Sequence, residues 1–382
     1  MRIGIDASNI IGGGGLTHLA ELLTHANPAI HQFESIDVWG RASVKARFPV
    51  DRDFLSFHTP DALNGNMLRR THWSRYRFPT EAKNVDLVFA PGGSVRSMKV
   101  PTVTMSQNML PFDVHERRRY GWSPMRLKFE LLAIRQTASF RNANGLIFLT
   151  EYAKQTVSKV ARLKQKNVAV IPHGINDHFR RPAESYPIRE DYSYEKPFRF
   201  VYVSSIHRYK HHREVVTAIG KLRKEGFPIT LDLYGRPESV ALKELRLATT
   251  KADPNSEFVH YHGSVPYADL PGIYHDADAF VFASTCENLP IILLEAMASA
   301  LPICCSNREP MPEVLRNAGD YFDAEDEHSI YESLRRIYES AEQRRTYSHA
   351  AKELANKYTW SRCADRTFEF LRTTYDQFSQ GK

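Results

Sequence analysis

Short runs that are apolar on both faces recur along this chain, each followed by a polar corner and most by a helix-length stretch. That alternation constrains the fold more than any single residue does. In the first half the runs are RIGIDAS (2–8), SIDVWG (35–40), VDLVFAP (85–91), PTVTMS (101–106), GLIFLT (145–150) and NVAVIPH (167–173). In the second they are FRFVYVSS (198–205), PITLDLYG (228–235), SEFVHYHG (256–263), DAFVFAS (278–284) and LPICCS (301–306). Strands without a polar face belong to parallel sheets covered by helices on both sides, and strands alternating with helices read as repeated β-α-β units. The chain has 382 residues, too many for one ordinary core.

A charged stretch with three prolines, NDHFRRPAESYPIREDYSYEKPF (176–198), breaks the pattern midway and has almost no apolar periodicity. The expected organisation is therefore a Rossmann-like domain over 1–180, a linker over 181–198 and a second Rossmann-like domain over 199–360. A C-terminal helix over 361–382 is expected to pack back on the first domain. Ligands of open parallel sheets sit outside the carboxyl ends of the strands, so the chemistry is expected just after strands, at a central cleft between facing domains.

Composition narrows the class. The chain is 42% hydrophobic and 25% charged, as in soluble globular proteins. No apolar run reaches the roughly 18 residues of a spanning helix, and no signal peptide is expected, because the N-terminus runs directly into RIGIDAS. Cys286, Cys304, Cys305 and Cys363 have neither zinc-ligand spacing nor a disulfide framework. A reducing cytoplasm suits them. The net charge of +7 is compatible with an anionic ligand, a nucleic acid or an acidic membrane face. Between 115 and 143, Arg117, Arg118, Arg119, Arg126, Lys128, Arg135 and Arg141 alternate with Trp122, Met125, Leu127, Phe129, Leu131, Leu132 and Ile134. Such a stretch is either a solvated helix face over a core or a helix resting on anionic headgroups.

Four corners carry chemistry. DADAFVFASTCENLPIILLEAMASALPICCS (276–306) reads as strand, corner and helix, with Glu287 at the corner and Glu295 about five residues into the helix. Asn288, Leu289 and Pro290 lead into that helix start. Proline is tolerated in the first turn, the free amides there attract anions, and a carboxylate accepts two hydroxyl hydrogens, as a vicinal diol offers. The same glutamates would also suit a solvated loop and an arginine-paired helix face. VYVSSIHRYKHHREVVTAI (201–219) ends a strand at Ser204 and Ser205, and sets Arg208 and Lys210 where a diphosphate could be neutralised. His207, His211 and His212 read as a solvated basic face, not a metal site. DASNIIGGGGLTHLAELL (6–23) places Gly12 to Gly15 after the first strand, matching neither the dinucleotide fingerprint nor a P-loop; glycines there allow close backbone approach to a ligand. TMSQNMLPFD (104–113) offers Gln107, Asn108 and Asp113, while LYGRPE (233–238) carries Gly235.

The order of these motifs resembles the family 4 retaining glycosyltransferases of the two-domain GT-B fold. The strongest element is Glu287, seven residues, Glu295, then Ala296 and Met297. The resemblance implies that Glu287 lies near the donor sugar and diphosphate, that Glu295 holds the ribose and that Lys210 binds the diphosphate. Three positions depart from the family pattern. Its usual arginine falls on Ser205, leaving Arg208 as the candidate substitute; its usual histidine falls on Gln107 or Asn108; and its corner glycines are Asn288 and Pro290.

The expected activity is transfer of a hexose from a GDP- or UDP-linked sugar to a saccharide acceptor of bacterial surface polysaccharide synthesis (O-antigen, capsule or exopolysaccharide), carried on a lipid at the anionic inner leaflet. Glu287, Lys210 and Asn108 are the candidate catalytic residues. Glu295, Arg208, Ser205, Asn288, Leu289, Pro290 and Gly235 are expected at the donor, and Gly13, Gly14 and Gly15 at the acceptor or a phosphate. No metal, no resident cofactor and no nucleic-acid partner are expected. A sugar-nucleotide epimerase of the same fold and a non-catalytic nucleotide-sugar binding module are the alternatives.

Overall fold

The computed structural model describes residues 1–46, 48, 52–94, 98–164, 167–181 and 188–381. The chain divides into two compact units. The first comprises Met1–Gly174 with Thr359–Lys382, the second Ile175–Tyr358.

The first unit is built on seven parallel strands: β1 (Arg2–Asp6), β2 (Ser35–Trp39), β3 (Leu55–His58), β4 (Leu87–Ala90), β5 (Thr102–Met105), β6 (Gly145–Phe148) and β7 (Val168–Val170). Their order across the sheet is β3-β2-β1-β4-β5-β6-β7. β4, β5 and β6 are buried along their whole length, which is why they carry no polar alternation. The direction of strand order reverses between β1 and β4, and that switch point is where an open parallel sheet leaves a crevice for ligands.

The second unit repeats the plan with six parallel strands: β8 (Phe198–Val203), β9 (Ile229–Tyr234), β10 (Val259–Gly263), β11 (Ala279–Phe282), β12 (Ile303–Ser306) and β13 (Asp320–Phe322). Their order is β10-β9-β8-β11-β12-β13, so the switch point lies between β8 and β11. These two pair in parallel through Ala279 with Phe200 and Phe280 with Val201. Phe198, Phe200, Tyr202, Phe280 and Phe282 are fully buried and form the aromatic centre of this unit.

Two segments refine the expected organisation. Of the expected linker 181–198, residues 182–187 lie outside the described residues. The remainder is held on the second unit: Tyr192 donates its hydroxyl to Asp278 at 3.1 Å and packs on Phe198, which already opens β8. At the other end Thr359 caps a helix over Trp360–Gln380. This helix packs on the Gly14–Thr24 helix and is tied down by His31 to Asp365 at 2.9 Å and Asn167 to Thr374 at 2.8 Å.

Candidate active site

The two corners that flank the second switch point meet. Lys210 ends the turn after β8, its side chain almost wholly buried, with the ammonium 5.0 Å above the Phe282 ring. The ammonium pairs with Glu287 Oε1, on the corner after β11, and Ser284 Oγ donates to the same oxygen at 2.6 Å. Backbone and side-chain bonds lace the corners together. The Tyr202 hydroxyl donates to the Lys210 carbonyl at 2.7 Å, and the Thr285 amide donates to the Tyr209 carbonyl at 2.9 Å. A buried cation is thus held in one place by its counter-charge, close to the strand ends where a ligand is expected.

Behind this pair the Ile291–Ala298 helix begins after Pro290 with no side chain capping it, so its first amides remain available to an anion. Asn288, Leu289 and Pro290 are buried in the approach. Glu295 lies one turn further in, about 2% exposed, and accepts the Tyr274 hydroxyl at 3.0 Å. Burial pushes its carboxyl up to about 7, although the Tyr274 and Tyr267 hydroxyls favour the charged form. Glu295 is therefore neither a solvated nor an arginine-paired glutamate. It is a buried acceptor poised to ionise near neutral pH.

The remaining residues singled out in this unit differ in what they do. Arg208 reaches to Glu244, donating at 2.6 Å and 3.1 Å, so its charge is already matched at the surface. Gly235 has φ +151, and a Cβ there would lie 1.8 Å from the Ser204 carbonyl oxygen; no other residue lets the ends of β8 and β9 come this close at Ser204 and Ser205. The three histidines diverge. His207 stacks on Tyr209, His211 contacts Thr285 at 3.3 Å, and His212 stacks flat on Tyr202 at 4.3 Å, where burial drives its pKa down to about 3. The Asp-x-Asp triplet Asp276–Asp278 is of the type that holds divalent cations, but Asp278 precedes β11, at the amino end of the strand, and accepts the Arg199 amide at 2.8 Å and the Tyr192 hydroxyl at 3.1 Å.

In the first unit the glycine run itself opens a helix. Gly13 is its cap with φ 66, and the helix runs Gly14–Thr24. A Cβ on Gly15 would meet Gln107 Oε1 at 2.8 Å, so the loop packs on the corner after β5. On that corner Asn108 folds back to accept the Leu110 amide at 3.1 Å.

Residues 12–179 match the family model described as Glycosyltransferase Family 4, and residues 188–354 match that of Glycosyl transferases group 1. The chain belongs to the family 4 glycosyltransferases of GT-B fold. This glycosyltransferase is 28% identical over 191 residues to the O-antigen chain mannosyltransferase B of Escherichia coli, covering 49% of each chain. The match thus spans about half the length of that relative. Among solved structures, sucrose-phosphate synthase from Thermosynechococcus elongatus superposes with a TM-score of 0.74 at 15% identity over 100% of both chains. Anabaena Alr3699/HepE, solved in complex with UDP-glucose, gives 0.70 at 16% identity, again over 100% of both. At such identities these two structures speak for the fold alone.

The folded glycosyltransferase also brings together residues that carry no motif. His18 and His173 face each other through Nδ1 atoms 2.8 Å apart, beside Trp360, and with Cys363 they set three ligand-type atoms within 4.8 Å. Burial lowers both imidazoles, His18 to about 4. In the basic 115–143 stretch, Arg119 turns inward to the buried Glu116 at 2.8 Å, Arg126 pairs with Glu130 at 3.0 Å, and Arg141 donates to the Ala161 carbonyl. On the Pro124–Asn142 helix Leu127, Leu131 and Ile134 are exposed at four- and three-residue spacing, beside a fully exposed Trp122. Among the described residues no helix is long and apolar enough to cross a membrane.

Proposed function

We propose that this glycosyltransferase is a retaining, metal-independent hexosyltransferase that uses a GDP- or UDP-linked hexose. Its acceptor is a lipid-linked saccharide of O-antigen, capsule or exopolysaccharide type. The observation that carries the reading is the buried Lys210–Glu287 pair beside the uncapped start of the Ile291–Ala298 helix, both at the switch point of the second sheet. A lysine and free helix amides suit a diphosphate, Glu287 suits a sugar hydroxyl next to it, and Glu295 suits a ribose diol. The name of the Escherichia coli relative supports mannose as the first hexose to test.

In the proposed reaction the bond from the anomeric carbon to the diphosphate oxygen breaks. The acceptor oxygen bonds to that carbon on the same face, and its proton passes to the departing diphosphate. No enzyme nucleophile is needed. Lys210 and the helix amides stabilise the charge that grows on the leaving group, an electrostatic contribution that is usually the largest in such steps.

The apolar row Leu127, Leu131 and Ile134, flanked by Arg117, Arg118 and Lys128, supports a peripheral seat on the inner face of the cytoplasmic membrane. The test of the whole reading is a thermal-stability screen of GDP-mannose, UDP-glucose and related donors. A true donor at 100 times its dissociation constant adds about 2.7 kcal/mol, and transfer should require that donor. A protein stabilised by none of them is not a nucleotide-sugar transferase.

A further inference from the structure

At the switch point of the first sheet lies a cavity of about 680 Å³, whose lining includes Asp6, Arg70, Arg75, Arg135, Ser139 and Asn142. Asp6 is the last residue of β1, so the cavity stands where an open parallel sheet takes its ligand. Its walls come from three separate segments. Arg70 projects from the Met67–His72 helix, Arg75 from the π-helical turn Trp73–Arg77 that continues it, and Arg135, Ser139 and Asn142 from Pro124–Asn142.

The wall that carries Arg70 and Arg75 is anchored. Trp73 and Phe78 are buried in one cluster with Trp39, Leu63, Val85 and Val88, and the Trp73 indole donates to Glu81 at 3.1 Å. Two of the three cationic side chains are thus fixed beside the space by a packed core, and Arg135 lines it from another helix. Among the described residues none of the three is ion-paired with a carboxylate, and Arg70 Nε is buried without a hydrogen-bond partner. Burial, Arg41 and Arg135 together lower the Arg70 pKa. Asp6 is the one acidic group of the lining; it is 6% exposed, accepts the Ser8 amide at 3.0 Å, and burial raises its pKa.

Three guanidinium groups facing one carboxyl leave a surplus of donors and positive charge. Such a cluster is costly when empty and is relieved by an anion with several acceptor oxygens. Guanidinium forks match phosphate oxygens in pairs. Asp6 would repel a phosphate and so marks the side where a neighbouring hydroxyl donates. We infer that this cavity is a phosphoryl subsite for a phosphorylated saccharide, the arginines holding the phosphate or diphosphate and Asp6 a sugar hydroxyl. The inference rests on the transferase reading, in which that saccharide is the acceptor.

The test reads the arginines directly and needs no turnover. The Lys210→Met, Glu287→Gln protein, which removes the proposed second-unit anion contact without leaving either partner of the pair buried alone, is treated with phenylglyoxal, and modification of Arg70, Arg75 and Arg135 is followed by peptide mass spectrometry. Pyrophosphate or glucose 1-phosphate should slow modification of Arg70 and Arg135 about tenfold, with glucuronate and chloride at equal ionic strength giving little protection. In Arg135→Gln, protection of Arg70 by pyrophosphate should require about tenfold more ligand. Vesicles carrying a lipid-diphosphate saccharide separate the two sources of the group: protection by them well below the soluble concentrations points to a lipid-linked ligand, and protection equal to that by glucose 1-phosphate points to a soluble one. No protection by either phosphate, or equal protection by glucuronate or chloride, overturns the subsite. Donor-induced stabilisation of the wild type is measured in parallel, so that its absence sinks the transferase reading while protection of Arg70 leaves the subsite standing.

Discussion

In the proposed donor site, Glu295 should make binding depend on pH, with a sign that its burial fixes. Its carboxyl is raised from 4.5 to about 7 by desolvation, whereas the acceptor of a ribose diol must be ionised. If only the carboxylate form binds, the apparent dissociation constant is the intrinsic one divided by the ionised fraction. That fraction is about 0.1 at pH 6 and about 0.9 at pH 8 for a group titrating near 7, so donor affinity should strengthen roughly tenfold over that range. Isothermal titration with an intact nucleotide sugar is the assay, because both phosphates are diesters and do not titrate there. Repeating it in buffers of different ionisation enthalpy should reveal nearly one proton released per donor bound at pH 6.

The empty protein should show the opposite trend. Between 4.5 and about 7 the folded carboxyl keeps a proton that the unfolded chain has shed, so folding stability falls as pH rises through this window and levels off above it. A shift of this size corresponds to something on the order of 3 kcal/mol. Glu295→Gln removes that slope, so at pH 8 the variant should unfold at higher denaturant than wild type while binding donor far more weakly. Affinity that is flat from pH 6 to 8, or a variant whose affinity keeps the wild-type pH dependence, would refute the reasoning.

Other outcomes follow from the same geometry. Glu287→Gln leaves the Lys210 ammonium buried without its counter-charge and should cost about 3–5 kcal/mol in stability; adding Lys210→Met should restore most of it, by urea melts, without restoring transfer. Transfer should survive EDTA, and complete loss with rescue by Mn²⁺ would defeat the metal-independent mechanism. Replacing Leu127, Leu131 and Ile134 by serine should release the protein from vesicles in co-sedimentation, since each inserted leucine contributes on the order of 1–2 kcal/mol. Arg117→Ser with Arg118→Ser should weaken binding only at low salt, at about 1 kcal/mol per residue. Arg119 is left out of that variant because it neutralises the buried Glu116.

Most strands legible in the sequence are buried along most of their length, though β7 and β10 were legible at the sheet edges while only partly buried. β3 (LSFH) and β13 (DYF) escaped because each is short and carries polar residues, Ser56 and His58 in one and Asp320 in the other, which hide the apolar pattern. Lys210 and Glu287 were legible for a related reason. Each sits a few residues beyond a strand that runs to the switch point, so sequence distance from the strand end stands in for distance in space. The Tyr274 hydroxyl on Glu295 was not legible. It comes from a different helix, 21 residues earlier, and nothing local announces it. The Arg208–Glu244 pair was not legible either, because Glu244 stands on the Ser239–Ala252 helix, 36 residues further on.

The same distinction explains why the two switch points read so differently. In the second unit the side chains of the proposed donor site stand on the corners that follow β8 and β11, and β-α-β chemistry is written beside the strand that positions it. In the first unit only Asp6 stands at a strand end. Arg70 and Arg75 arrive on a helical excursion between β3 and β4, and Arg135 on the helix between β5 and β6. These three arginines are separated by up to 65 residues, and the packing of Trp73 and Phe78 in the core fixes Arg70 and Arg75 beside the space that Arg135 lines from another helix. A donor site that must hold the same diphosphate chemistry can keep a short local motif. The proposed acceptor subsite, assembled from helical excursions, can change by substitution at positions that no strand constrains, and Arg70→Gln should accordingly weaken anion binding without lowering the stability of the ligand-free fold in urea melts, because it removes one of three guanidinium groups crowded around the cavity.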